Sequence, residues 1–95
     1  MADLKIAPDS VIELQRHFRF QWEPAQQAHV LLYPEGMVKL PGSAGEIIKR
    51  VDGTATAEMI AQDLEKAFPG VDLRADVMEF LEVAHARGWI RTRQG

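Results

Sequence analysis

Apolar and polar residues alternate with a period of two in the front third of the chain, then shift to a helical period from about residue 44 onward. Phe18, Phe20 and Trp22 interleave with Arg19, Gln21 and Glu23, which places the aromatics on one face of a half-buried strand. Glu23 to Gln27 reads as a turn. His29 to Tyr33 is a run of strand formers stopped by Pro34. Tyr33-Pro34-Glu35-Gly36 places Pro and Gly where a type I turn prefers them. Met37 to Leu40 returns as a third strand, with Val38 and Leu40 on one face and Met37 and Lys39 on the other. The pattern predicts a three-stranded antiparallel meander. Residues 1–10 keep no period and read as a flexible lead-in to one domain over 11–95.

Ser43 and Glu46 have the spacing of a capping box, and Ala44, Ile47, Ile48 and Val51 form one apolar stripe behind it. Gly53 ends that helix, and Thr56 is placed to cap a second over about 57–68. Its stripe is Ala57, Ile60, Ala61, Leu64 and Phe68, broken by Pro69-Gly70. Asp72 is the expected cap of a third helix, whose Leu73, Val77, Phe80, Leu81 and Ala84 share a face. Arg87 lies near its carboxyl end, where a cation is favoured. Gly88 stops it, and Trp89-Ile90 begins a short extended tail. The expected class is α+β: the meander, then a three-helix bundle, winged helix-turn-helix-like, with the helices covering one sheet face.

Composition narrows the function. The chain has 95 residues, no Cys, and a net charge of −3. Disulfides and cysteine metal sites are excluded, and a reducing compartment suits the sequence. No apolar run approaches the roughly 20 residues needed to span a bilayer. The N-terminus lacks the basic and apolar regions of a signal peptide. These features lead to an expected cytoplasmic location without membrane contact. An acidic balance also argues against nucleic acid, whose affinity comes mainly from Lys and Arg on phosphates. The runner-up is a winged-helix nucleic-acid-binding regulator. It would push Asp76, Glu79 and Glu82 of the third helix toward phosphates, against only Arg74 and Arg87.

Candidate chemistry is sparse. Glu82 and His85 match a Glu-x-x-His spacing, but di-iron bundles need two such motifs and further carboxylates. His17, His29 and His85 fall in or beside different elements, and no serine sits in an activating motif. There is no G-x-G-x-x-G or P-loop. The expectation is a protein without catalytic activity, cofactor or metal. The most promising element is the third strand: at a sheet edge, its free amides and carbonyls would template an incoming strand.

The ordered series Leu40, Ser43-Ala44, Ile47-Ile48, Asp52-Gly53-Thr54, Thr56, Glu58 and Ile60 resembles the signature of the PqqD family. These are the small peptide-carrying proteins of pyrroloquinoline quinone biosynthesis, the type member of the RiPP recognition elements. The upstream run from Arg19 to Leu40 and the downstream run from Ala84 to Ile90 are similar to that family too, so the likeness spans about 10–91. Pro41-Gly42 departs from the polar, Asn-containing pair more usual there. The resemblance implies a non-catalytic adaptor that binds the pathway's precursor peptide as an added strand between strand three and helix three. It further implies delivery to a radical S-adenosylmethionine enzyme that cross-links a Glu and a Tyr. Iron–sulfur clusters and S-adenosylmethionine would belong to that enzyme. The implied peptide contacts are Met37, Val38, Lys39 and Leu40 from the strand, and Val77, Met78, Leu81 and His85 from the helix. A second surface would engage the enzyme, with the Arg19, Gln21 and Glu23 face or the tail at Trp89 and Arg91 as candidates. Exchange of the meander through Pro41-Gly42 would give a homodimer.

Overall fold

Period-two alternation produces the expected meander: β2 (Arg19–Glu23), β3 (Ala28–Tyr33) and β4 (Gly36–Leu40) form an antiparallel sheet in the order β2-β3-β4. The structure is a computed structural model that describes residues 6–94. Tyr33 pairs with Gly36 across a two-residue turn, and the register continues as Leu31↔Val38 and His29↔Leu40. Phe20, Leu31, Val38 and Leu40 therefore share the inward face. Leu31 and Leu40 enter the core, while Phe18, Phe20 and Val38 pack against it.

Beyond the meander, the chain forms a second sheet that the sequence pattern does not announce. In it β1 (Ser10–Leu14) pairs antiparallel with β5 (Ile90–Gln94). The lead-in expected over 1–10 is docked in its described part: Ile6 and Ser10 are buried, and Pro8 O accepts from Glu58 N at 2.9 Å. Residues 1–5 of that segment lie outside the described residues. The extended tail at Trp89-Ile90 is the start of β5. The meander-then-helices order thus becomes five strands in two antiparallel sheets and three helices.

Helices α1 (Ser43–Lys49), α2 (Ala57–Ala67) and α3 (Arg74–Ala86) lie close to the predicted spans. Their stripes supply the core: Ile47 and Ile48, then Ala57, Ile60, Ala61 and Leu64, then Val77, Leu81 and Ala84. Burying each Leu or Ile contributes about 1.5–3 kcal/mol. Two expected caps are replaced. Gly42, not Ser43, is the N-cap of α1, with φ 58° and ψ −132°, and no side chain caps it. Ser43 is already helical, and Glu46 reaches forward to Arg50 Nη1 (2.9 Å) rather than back. Leu73, not Asp72, precedes α3; the Asp72 carboxylate accepts from Arg74 N at 3.4 Å from one position too early. Thr56 caps α2 as expected, its hydroxyl accepting from Met59 N at 3.1 Å.

Candidate functional site

The outer edge of β4 is unpaired among the described residues. A two-residue hairpin closes with a hydrogen-bonded pair, so Tyr33/Gly36, Leu31/Val38 and His29/Leu40 turn their backbone groups toward each other. Met37 and Lys39 then turn theirs outward. An incoming strand meets two N–H and two C=O groups, each worth about 0.5–1.5 kcal/mol net. Association costs about 4–15 kcal/mol. Backbone pairing alone does not hold a peptide, and apolar contact has to supplement it.

That contact is available where β4 ends. Gly42, Ser43, Glu46 and Ile47 meet Leu64 and Phe68 of the α2 end and Val71, Leu73, Asp76 and Val77 around the start of α3, enclosing a cavity of about 320 Å³. Ile47, Leu64 and Val77 form its buried floor, and Phe68 and Val71, 44% and 51% exposed, stand at its rim. Phe68, assigned to the core by the stripe of α2, lies beyond the last helical residue and faces this opening instead. Two carboxylates and no Lys or Arg line the cavity. Glu46 is held below the usual carboxylate range chiefly by its hydrogen bond from Arg50.

The residues expected at the site divide into three groups. Met37 and Lys39 are exposed, with Met37 at 44%, and Val38 is half-buried on the inner face. Leu40, Val77 and Leu81 are core, at 3%, 1% and 0% exposure, so they support the site from beneath. Met78 and His85 lie elsewhere. Successive residues turn by about 100° around a helix, so Asp76, Phe80 and Val83 fall on one side of the core stripe of α3. Met78, Glu82 and His85 fall on the other. The cavity takes Asp76 from the first side. On the second side, the Glu82 carboxylate accepts from Ile6 N at 3.4 Å, and His85 Nδ1 is buried without a partner among the described residues. Phe68, Val71, Leu73 and Asp76 line the cavity although sequence reasoning did not assign them to a site. Pro69-Gly70 was the available signal, because it opens the α2 end and exposes its last aromatic.

The α3 face proposed for a nucleic-acid reader is further depleted of cation. Arg74 is bound to Glu58, its Nη2 2.7 Å from Oε2. That bond, followed by the Arg74 charge, lowers the Glu58 carboxyl.

The model of the family described as "Coenzyme PQQ synthesis protein D (PqqD)" matches residues 28–90. Over 83 residues the chain is 59% identical to the "PqqA binding protein" of Pseudomonas paraeruginosa, covering 86% of this chain and 90% of that one. It is 54% identical to the protein so described from Azotobacter vinelandii, with the same coverage. The fold matches the solution NMR structure of the PqqD truncation of Methylobacterium extorquens PqqCD, described as a functional, stand-alone RiPP recognition element. The TM-score is 0.77 at 27% identity, covering 93% of this chain and 96% of that one.

Proposed function

The chain belongs to the PqqD family, and from that membership we propose that it binds the ribosomal precursor peptide of pyrroloquinoline quinone as an added strand on β4. The observation that carries the reading is an unpaired edge ending at an apolar cavity of about 320 Å³. Met37 and Lys39 supply the backbone bonds. The cavity takes a large apolar side chain of the peptide, whose burial adds about 1.5–3 kcal/mol. Val38 of the strand and Phe80 of the helix, both half-buried and packed against the core, are the side chains this reading assigns to the walls.

In this reading the protein performs no chemistry. It holds the peptide extended and presents it to the pathway's radical S-adenosylmethionine enzyme, which cross-links a Glu and a Tyr of that peptide. The meander and the three helices act as a winged-helix-like frame whose helical face is acidic. Asp76, Glu79 and Glu82 make that face a poor fit for phosphates and leave the β4 edge as the reading surface.

Lys39→Pro isolates the claim. The Lys39 N–H points to the free edge, so proline there removes a bond to the peptide without breaking the β3–β4 ladder. Calorimetric titration with the precursor peptide should show affinity reduced about tenfold or more, with helical circular dichroism unchanged. Wild-type affinity in a folded Lys39→Pro variant would remove β4 from the site.

A further inference from the structure

Among the described residues, strand β5 is paired on one side only. Gln15 N donates to Trp89 O at 3.0 Å, and the register runs on through Leu14↔Ile90, Glu13↔Arg91, Ile12↔Thr92 and Val11↔Arg93. Ile12 turns its backbone away from β5: its N–H donates to Ala55 O at 3.1 Å, and its C=O accepts from Gly53 N at 3.2 Å. Residues opposed in such a pair both face outward. Thr92 therefore presents its N–H and C=O at the far edge of β5, where no other strand pairs among the described residues.

The charge around this edge is opposite to that of the molecule as a whole. From Val83 to Gly95 the sequence holds three arginines and no carboxylate, in a chain of net charge −3. Arg91 Nε lies 2.8 Å and Arg93 Nε 3.9 Å from Glu13 Oε2, and Arg93 Nη2 donates to Gly53 O at 2.6 Å, so two half-exposed guanidiniums have one carboxylate between them. Arg87 sits 5.7 Å from the Trp89 ring centroid, and exposed Arg16 follows Gln15, which is bound to Trp89.

We infer that the outer edge of β5 docks an extended acidic strand of a partner protein, and that this partner is the enzyme receiving the peptide. The identity of the partner rests on the function proposed above; the edge and its charge do not. A second copy of this chain fits poorly. Antiparallel pairing about Thr92 would set Arg91 of one copy opposite Arg93 of the other, and like charges directly opposed are destabilising. Nucleic acid would engage the guanidiniums but leave the outward backbone groups unused. The cavity beside β4 is lined by Glu46 and Asp76 and by no Lys or Arg, so the cavity and the β5 edge differ in sign.

The test titrates the full chain with the pathway's radical S-adenosylmethionine enzyme and, separately, with the precursor peptide. It compares wild type with Arg91→Gln/Arg93→Gln and with Thr92→Pro. Thr92→Pro removes only an outward N–H and leaves the β1 ladder intact. Both variants should weaken enzyme binding about tenfold or more and leave peptide affinity within about twofold. The salt dependence of enzyme binding should flatten in the arginine variant. Unchanged enzyme affinity in both variants, or a loss confined to the arginine variant, overturns the docked strand. Self-association or duplex DNA binding that these changes abolish, with enzyme binding intact, overturns it as well. Wild-type protein that binds enzyme in this manner but not peptide would sink the proposed function instead.

Discussion

Gly45 shows how far one residue decides the approach of the meander to the helices. A Cβ there would lie 3.0 Å from His29 Nδ1 and 3.1 Å from Leu40 O. Glycine inside a helix costs about 0.5–1 kcal/mol relative to Ala, and here that cost allows α1 to close on β3 and β4. Gly45→Ala should therefore destabilise the fold by about 1–3 kcal/mol despite its better helix propensity, a loss readable by urea denaturation. The Ser-Ala-Gly-Glu spacing that reads as a capping box is thus a packing device: Gly42 makes the entry and Gly45 the contact. Asp52 is a second such residue. Its carboxylate accepts from Thr54 N (2.9 Å) and Ala55 N (2.8 Å), bonds that lower its pKa. A depressed carboxyl contributes stability that is complete above its unfolded value of about 4 and is lost as pH falls through the lower folded value. Wild type should lose thermal stability on acidification below about pH 4. Asp52→Asn should start less stable at neutral pH and lose less over that interval. Parallel pH profiles for the two proteins would dismiss this role.

At the level of elements, the strands of the meander and the helical stripes were legible because each buries a repeating face. Val38 and Leu40 alternate inward with Leu31, as the period demands. Which flank of α3 borders the cavity was not legible. The stripe of Val77, Leu81 and Ala84 fixes what is buried, but both flanks are equally amphipathic in sequence. The chain path decides: the β4 exit meets the Asp76 side, and Ile6 meets the Glu82 side. The helix wall of the proposed site is therefore Phe80 and Val83, on the Asp76 side, rather than Met78 and His85. Val83 is 42% exposed, so Val83→Asp should leave the fold intact while reducing peptide affinity about threefold to tenfold by calorimetry. His85→Ala should bind as wild type. The reverse ranking would return the wall to the Glu82 side. Leu40→Asp tests folding only, since Leu40 is core.

Across the whole molecule, the feature hidden in the sequence is the β1–β5 sheet. Its strands stand about 80 positions apart in the chain, and neither shows a sustained alternation. Ser10-Val11-Ile12 is buried throughout because β1 is covered by α2 on one side and reaches Ala55 and Thr56 at its edge. Closing this sheet ties both ends of the described chain together, and the outer edge of β4 is unpaired among the described residues. The proposed division of labour, peptide on one edge and enzyme on another, follows from that placement.

The most direct test of the central claim is a backbone amide NMR titration of isotope-labelled protein with the pathway's precursor peptide. The largest shifts are expected at Met37, Lys39, Val71, Asp76 and Val83, with Arg91, Thr92 and His85 nearly still. Shifts gathered on β2, β5 or the Glu82 side of α3, or none at high micromolar peptide, would contradict that claim.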